Sequence, residues 1–334
     1  MKTIIQIPQN PYAHINQIIT GFYMLFGSDV EIRTSEAISS RSHVLANCNG
    51  VNILYDLDDG YQNIDAIRED IKLCDFYFKR SFSTHRNKEL GLDIFGSKLL
   101  PLGFNYNVIL QEKWYGQYFS IRQKLRNSLC AILPHCISRM LYVDLPENIE
   151  MQPSFKLNSG KPKILFATRL WGGAENRGIN QMRIDIIRAL KDKYGKAFYG
   201  GLEDSILARQ LAPDLILNKA FTKKRSYLKR MRNSDICIAS TGLHNSIGWK
   251  FAEYIVASKA ICSERLCYEV PDGFNKNKNY IEFNSVDSCV DSVDYLVHHP
   301  EKIREMQNAN REYYINFLKP DILVANTLDL CKLL

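Results

Sequence analysis

The sequence predicts an α/β protein built from two doubly wound, Rossmann-like domains. Its 334 residues are the length of about two domains. Short runs of β-branched or aromatic residues alternate with segments of helical periodicity, and the alternation begins again after the turn-rich stretch Asn158–Pro162. Such alternation is typical of parallel sheets covered by helices. We therefore expect domains at 1–158 and 159–334, facing a central cleft lined by strand-end loops.

The first domain is predicted to begin with a strand, after which helices and strands alternate. Apolar residues at positions 15, 18, 19, 22 and 25 share one face of a helix. The predicted strands are Thr3–Ile7, Val51–Tyr55, Cys74–Phe78 and Lys98–Gly103, with a helix at Ile64–Leu73.

The second domain repeats the pattern. Its predicted strands are Lys163–Ala167, Ala197–Tyr199, Leu215–Leu217, Ile236–Ala239 and Ala260–Cys262. Its predicted helices are Asn180–Tyr194, Trp249–Ser258, Pro300–Phe317 and Asp321–Leu334, the last two separated because Pro320 interrupts the pattern. We expect the last helix to cross back to the first domain.

Composition excludes several classes of protein. With 46% hydrophobic and 24% charged residues, the chain can form packed cores and is not expected to be disordered or fibrous. None of the nine cysteines forms a CxxC pair, which predicts reduced thiols. Thr3–Ile7 ends at Pro8 and is too short for a signal-peptide core, and no apolar window could span a bilayer. We expect a cytoplasmic protein with at most peripheral membrane contact.

Residues 108–150 lack a clear strand pattern and combine aromatic with basic side chains. These are Trp114, Tyr115, Tyr118, Phe119, Arg122, Lys124, Arg126 and Arg139. One interpretation is a helical face, within 108–145, that rests on a membrane interface. The alternative is a pair of ordinary packing helices.

Several catalytic signatures are absent from the sequence. There is no GxGxxG, no GxxxxGK[ST], no GxSxG, no HExxH and no protein-kinase motif set. These absences favour a ligand held by loops and helix N-termini at strand ends. No cofactor is expected.

The stretch from Asn233 to Glu264 is the most informative about function. It reads as a strand, a glycine-containing loop, a helix and a second strand. Its glycines and polar residues include Gly242, His244, Asn245, Ser246, Gly248, Lys250 and Glu253. This unit resembles the C-terminal half of GT-B glycosyltransferases, in which such a unit builds the sugar-nucleotide site. The resemblance covers about 160–334 and implies the GT-B fold.

Within that family, Glu253 resembles the second glutamate of the retaining group with a Glu-x7-Glu pattern (family 4, group 1). The resemblance implies that Glu253 binds the nucleotide ribose, while His244, Asn245, Ser246 and Gly248 lie at the donor sugar. Asn245 stands where the first glutamate is expected, and an amide carries no negative charge. Retaining and inverting chemistry therefore both stay open. The alternative for Glu253 is a solvated carboxylate on a helix face.

A second match lies at the end of the first strand of this half. Thr168 and Arg169, in Phe166–Leu170, resemble the strand end that carries an arginine on the donor diphosphate. Arg177 and Lys250 are further cations implied at the phosphates, and a guanidinium suits this role because its planar fork binds two oxygens. A surface salt bridge is the alternative for Arg169.

Positive charge is concentrated at 219–232. The formal charge of the chain is +7, and this run alone has seven basic residues and no acidic one. An acidic membrane surface would attract it, whereas the alternative is a solvated helix face. Nucleic acid is not an expected partner because no recognised binding module accompanies the run.

In the first half, Asp56 and Asp58 directly follow a predicted strand, where an open, cleft-lining loop is expected. Both are candidates for the general base that deprotonates an acceptor hydroxyl. Asp56-x-Asp58 imitates the metal-binding DxD of a different glycosyltransferase fold, so we do not expect a metal here; an Asp-rich turn is the alternative. His14 is the other candidate base, or a packing residue. Lys79 and Arg80 could bind an anionic acceptor such as a lipid pyrophosphate, or stay solvated.

Together these features predict a metal-independent glycosyltransferase. It would move a hexosyl group from a nucleotide-sugar donor to a surface polysaccharide, such as lipopolysaccharide, or to a lipid-linked glycan. Two alternatives stay open: a non-catalytic nucleotide-sugar binding module, and a sugar-nucleotide epimerase of the same architecture.

Overall fold

The computed structural model describes residues 1–108 and 161–334. These fall into two compact units, the first made of residues 1–80, 84–108 and 320–334, the second of 81–83 and 161–319. The predicted domain boundary at 158 and the aromatic and basic side chains from Trp114 to Arg139 lie outside the described residues.

The first unit contains a six-stranded sheet in the order β2-β1-β3-β4-β5-β6. The strands are β1 (Thr3–Ile7), β2 (Val30–Thr34), β3 (His43–Cys48), β4 (Val51–Asp56), β5 (Phe76–Lys79) and β6 (Leu99–Pro101). Its helices are α1 (Asn16–Phe26), α2 (Ile64–Asp70), α3 (Thr84–Glu89) and α11 (Pro320–Leu330). All pairings are parallel except those of β3, which runs antiparallel to β1 and β4.

The core of the first unit joins the sheet to α1 and α11. Phe22 of α1 packs edge-on against Tyr55 of β4, and the Tyr55 hydroxyl lies 2.7 Å from Thr327 Oγ1 of α11. Gly21 allows a close approach, since a side chain there would meet the carbonyl of Pro320. The last helix of the chain is therefore part of this core.

The second unit contains a five-stranded, fully parallel sheet in the order β11-β10-β9-β7-β8. The strands are β7 (Ile164–Thr168), β8 (Phe198–Leu202), β9 (Ile236–Ala239), β10 (Ala260–Glu264) and β11 (Ile281–Phe283). The helices are α4 (Arg177–Tyr194), α5 (Ile206–Leu211), α6 (Lys219–Thr222), α7 (Lys224–Arg232), α8 (Trp249–Val256), α9 (Val286–His298) and α10 (Pro300–Tyr313).

The predicted α/β class is confirmed in both units, while some elements differ from prediction. The predicted strand Leu215–Leu217 is wrong, since a 3-10 turn, Pro213–Leu215, takes its place and only Ile216 bridges to Leu202. β2, β3 and β11 were not predicted. Antiparallel β3 carries His43 and Asn47, and these polar residues obscure the apolar run that marks a buried strand.

None of the described helices is both long and apolar enough to cross a membrane.

Candidate functional site

The candidate site of the second unit lies at the carboxyl ends of β7, β9 and β10. These three strands are parallel neighbours, so the residues that follow them share one edge of the sheet. Thr168 ends β7 and is nearly buried, Ser240 and Thr241 follow β9, and Glu264 ends β10. The Thr241 amide donates to the Glu264 carboxylate over 2.7 Å, which fixes the loop that begins there.

Arg183 ties these strand ends together. It lies in the middle of α4, and only 4% of its surface is exposed. Its guanidinium donates to the Arg169 carbonyl over 2.5 Å, to Ser240 Oγ over 2.9 Å and to the Thr241 carbonyl over 2.8 Å. Arg183 thus carries positive charge to the edge of the sheet while its hydrogen bonds go to neutral acceptors. Sequence reasoning missed it, because an arginine inside an amphipathic helix reads as a solvated residue.

Lys250 brings a second cation to this edge. It is the second residue of α8 and is half-buried, and its ammonium donates to the carbonyl of Ala167 on β7 over 2.5 Å. Burial, together with the nearby charges of Arg183 and Arg169, lowers the pKa of Lys250 to about 8. A lysine held in this way is stabilised by an arriving anion.

Arg169 is the exposed cation of the group. Its guanidinium stacks 4.0 Å from the centre of the Trp171 ring. Asn180 of α4 holds that tryptophan in place by bonding its backbone amide over 2.9 Å and its carbonyl over 2.7 Å. Arg177, the first residue of α4, is exposed, and no contact in the described residues brings it to this cluster.

Glu253 is a buried carboxylate on α8. Only 1% of it is exposed, and Oε1 accepts a hydrogen bond from the Lys224 ammonium. Oε2 is equally buried, and no hydrogen-bond partner for it exists among the described residues. Buried carboxylate oxygens normally have partners. The alternative that Glu253 is a solvated side chain is therefore wrong. From the sequence, Lys224 was predicted only as part of the basic run, because Lys224 and Glu253 are too far apart in sequence for their pairing to be recognised.

The loop between β9 and α8 has an unusual backbone. His244 and Asn245 have φ angles of 56° and 60°, and both side chains are exposed. The Tyr268 hydroxyl donates to the His244 carbonyl over 2.7 Å, and Ser246 is buried beneath the loop. Two consecutive residues in the left-handed region carry strain that a packed loop must offset. Contact of His244, Asn245, Ser246 and Gly248 with a sugar stays a prediction.

Several basic residues of the run 219–232 form ion pairs or ring contacts within the second unit. Lys224 pairs with Glu253, and Lys219 Nζ lies 3.8 Å from Asp204. Arg230 lies between two rings, 3.8 Å from the centre of Tyr199 and 3.9 Å from that of Phe221. Membrane contact through 219–232 stays a prediction.

In the first unit, the expectation that Asp56 lies in an open loop is wrong. Asp56 is the last residue of β4 and is fully buried. Its Oδ2 accepts from Lys79 Nζ over 2.6 Å and from the Tyr77 hydroxyl over 2.9 Å. Burial opposes its charge, but Lys79 and His43 outweigh that effect and hold the pKa of Asp56 well below its usual range. Such a carboxylate is a weak base, so this geometry favours Asp58 over Asp56.

Asp58 is 32% exposed and bonds to Ser40 Oγ over 2.7 Å. Burial opposes its charge, yet the neighbouring His43 lowers its pKa. Burial also lowers the pKa of His43, but the surrounding carboxylates outweigh burial and raise it well above the usual value.

The remaining first-unit candidates are also packed. His14 is half-buried, and its burial, with the charge of Arg80, lowers its pKa to about 4, so its imidazole is neutral at pH 7. Arg80 is 6% exposed and pairs with Asp59, while Lys79 is fully buried. The expectation that Lys79 and Arg80 stay solvated is therefore wrong, since both are buried and engaged with aspartates, whereas their contact with an anionic acceptor stays a prediction. A role for His14 or Asp58 as base stays a prediction.

No protein-family model and no curated protein matches the sequence. Among solved structures, the chain is similar to S. aureus TarM in complex with UDP, at 11% identity and a TM-score of 0.44, over 80% of this chain and 46% of that one. It is similar to a glycosyltransferase from Rickettsia africae at 16% identity and a TM-score of 0.38, over 92% of this chain and 86% of that one. It is also similar to UDP-GlcNAc 2-epimerase from Neisseria meningitidis, at 14% identity and a TM-score of 0.41, over 80% of this chain and 65% of that one. The chain thus spans about half the length of TarM.

Proposed function

We propose that this chain is a GT-B-type glycosyltransferase that transfers a sugar from a nucleotide-sugar donor to a hydroxyl of a glycan or lipid-linked acceptor. The donor would bind at the carboxyl edge of the second unit's sheet. The observation that carries the proposal is Glu253, whose Oε2 is buried without a hydrogen-bond partner among the described residues, on the helix that also presents Lys250.

A ribose diol is a suitable partner for Glu253. Each hydroxyl of the diol can donate a hydrogen bond, and a buried carboxylate accepts such bonds strongly because it is charged. Lys224 holds Oε1, while Oε2 is the acceptor left for the ligand. In this proposal the pair Lys224–Glu253 is the ribose clamp.

The donor diphosphate would lie against the cations. Arg169, Arg183 and Lys250 are close enough to perturb one another's ionisation, and none of them forms a salt bridge within the described residues. A diphosphate would give these side chains an anionic partner at salt-bridge distance. Their positions at three different elements would let them contact several phosphate oxygens.

The chemistry follows from that placement. The acceptor oxygen attacks the anomeric carbon, the bond from that carbon to the phosphate oxygen breaks, and the nucleoside diphosphate departs with the bonding electrons. Negative charge grows on the leaving oxygen, and fixed cations stabilise it. The acceptor hydroxyl loses its proton to a base, for which Asp58 and His14 are the predicted candidates.

Donor binding and transfer can be tested in one series. The full chain would be screened by thermal shift with UDP-, GDP-, dTDP- and CMP-sugars, and the donor that binds would then be incubated with and without glycan acceptors. Glu253→Gln should abolish binding and transfer. Glu301→Gln, an exposed glutamate on α10, is the matched control and should change neither.

The outcomes separate the alternatives. Donor binding without transfer to any acceptor would support a non-catalytic binding module. Conversion of the donor sugar in the absence of acceptor would support an epimerase. If none of the four donor classes binds, the proposal fails.

A further inference from the structure

His43 lies at the centre of a buried polar cluster in the first unit. It begins β3 and is completely buried. Its Nδ1 lies 2.6 Å from Asp70 Oδ2, and the Asp70 carboxylate also accepts from the Ser39 amide and, over 2.7 Å, from Ser39 Oγ. Because the Asp70 oxygens act as acceptors, the proton is assigned to Nδ1. The lone pair of a neutral His43 is then on Nε2.

That lone pair faces two carboxylates. Nε2 lies 3.2 Å from Asp56 Oδ1 and 3.3 Å from Asp58 Oδ2, and it forms no hydrogen bond with either. Two anionic oxygens and a nitrogen lone pair repel one another in a buried setting. A positive charge must therefore lie between the three atoms, as a proton on Nε2 or as a bound cation.

The distances favour a cation. Two ligands about 2.1 Å from one metal ion, at tetrahedral or octahedral angles, lie roughly 3.0–3.4 Å apart. A charge-assisted hydrogen bond would be about 2.7–2.9 Å long. The 2.6 Å contact of Nδ1 with Asp70 has the length of a charge-assisted hydrogen bond. The two contacts of Nε2, at 3.2 and 3.3 Å, have the separation expected between two ligands of one metal ion. The three ligand atoms all lie within 4.8 Å of one another.

The carboxylates are already oriented by other partners. Lys79 and Tyr77 donate to Oδ2 of Asp56, and its other oxygen, Oδ1, faces Nε2 of His43. Asp56 Oδ1 also accepts a hydrogen bond from the backbone amide of Asp58 over 2.9 Å. Ser40 holds the Oδ2 of Asp58, as Asp70 holds the imidazole. Metal ligands are commonly fixed by such outer partners, including a carboxylate on the far nitrogen of a histidine.

The ligand set points to a divalent ion. With the proton on Nδ1, the imidazole is neutral, and Nε2 faces one carboxylate oxygen each of Asp56 and Asp58. Two carboxylate ligands with a neutral imidazole suit a charge of +2, which a proton does not provide. An imidazole nitrogen with two carboxylate oxygens suits zinc or manganese, whereas magnesium and calcium prefer oxygen ligands alone.

We propose that His43, Asp56 and Asp58 bind a divalent transition-metal ion, Zn²⁺ or Mn²⁺, at the carboxyl end of β4. The partial exposure of Asp58, 32%, gives the ion a route in and leaves a position for water. The ion would join β3 to the loop after β4, so its role is to hold this part of the first unit together. The site does not depend on the proposed function, since His14 is the candidate base that remains when Asp58 binds the ion, and its test uses no donor.

The test is metal binding by the full chain. After treatment with a chelator, the protein would be titrated with Zn²⁺ and with Mn²⁺ by calorimetry, and its metal content measured after dialysis. We expect one equivalent of metal per chain. Asp58→Asn and His43→Gln should weaken binding by about 100-fold or more, and Asp70→Asn by about 10–100-fold. His85→Gln, an exposed histidine on α3, is the matched control and should bind as the unaltered chain does.

Cobalt supplies an independent readout. Co²⁺ bound by the imidazole and two carboxylates should give visible absorption bands that Asp58→Asn removes and His85→Gln keeps. Because Asp58 is partly exposed, its variant keeps the test valid even if His43→Gln does not fold. The proposal is overturned if neither Zn²⁺ nor Mn²⁺ binds at one equivalent, or if Asp58→Asn binds either metal as the unaltered chain does. A proton on Nε2 would then fill the cluster, and both ring nitrogens would carry protons in NMR spectra.

Discussion

Lys79 Nζ lies 2.6 Å from Asp56 Oδ2, and both side chains are completely buried. The two residues sit opposite each other on the neighbouring parallel strands β4 and β5. Tyr77, on the same strand as Lys79, donates to the same oxygen over 2.9 Å. A buried pair of this kind contributes little net stability as a pair, but losing one member leaves an uncompensated charge.

Lys79→Met should therefore destabilise the first unit by about 3–5 kcal/mol, because the Asp56 carboxylate stays buried without its ammonium. The Asp56→Asn/Lys79→Met double variant should recover part of that loss, since no charge remains unpaired. Urea unfolding followed by far-UV circular dichroism measures both. A loss below about 1 kcal/mol for Lys79→Met would contradict the account.

Gly21 should not tolerate a side chain. A Cβ at this position on α1 would overlap the Pro320 carbonyl and Val324 of α11. Because the Pro320 carbonyl is backbone, α11 would have to shift, and we expect Gly21→Ala to cost about 1–3 kcal/mol or more in the free energy of unfolding. Gly178→Ala is the control, since α4 leaves open space there and alanine favours the helix. Equal stability of the two variants would mean that α1 and α11 do not approach this closely.

The class of the fold could be predicted from the sequence because the buried parallel strands are continuous apolar runs. Ile236–Ala239 and the first three residues of β10, Ala260–Cys262, are of this kind, with polar residues after them. β3 could not be predicted in the same way. Its polar residues are buried because they have partners far away in sequence, such as Asp70 for His43. No local pattern carries that information.

The same limit applies to the candidate site. Lys250 and Glu253 could be predicted because they share one helix after a glycine-containing loop. Arg183 and Lys224 could not, since each reaches the site from a helix that is distant in sequence. Asp56 was predicted as an open-loop residue because its strand is one residue longer than the apolar run suggests. Pairings over long sequence distances decide which charges are available to a ligand.

Arg183 should be essential for the order of the strand-end loops. Arg183→Met would leave the Arg169 and Thr241 carbonyls and Ser240 Oγ without their donor. We expect a loss of about 2–4 kcal/mol, because each unsatisfied buried group costs about 1–3 kcal/mol. Arg188→Met, on the same helix but exposed, should cost about 0.5 kcal/mol or less. Urea unfolding followed by the fluorescence of Trp171 and Trp249, in a Trp114→Phe background, reports on this unit. Equal losses for the two variants would contradict the assignment.

Lys250 should make nucleotide binding depend on pH. Its pKa of about 8, against 10.5 for an ordinary lysine, means that the ammonium is mostly charged at pH 7 and mostly neutral at pH 9. Between these pKa values the unfolded chain holds the proton that the folded one has lost, so the stability of the free protein should rise with pH across that window. Affinity for a nucleoside diphosphate should change in the opposite sense.

We expect the affinity for a nucleoside diphosphate to fall by about 10–100-fold between pH 7 and 9.5, since a hydrogen bond to a charged group contributes about 1.5–3 kcal/mol. Calorimetric titration with UDP, GDP and dTDP across this range measures it. Lys250→Arg keeps the cation and should give a flat profile, because arginine does not titrate here. Lys250→Gln should bind weakly at every pH, whereas Lys229→Arg, at an exposed position on α7, should retain the profile of the unaltered chain. A decline that persists in Lys250→Arg would show that another group titrates, and Lys250 would then have no place at the phosphates.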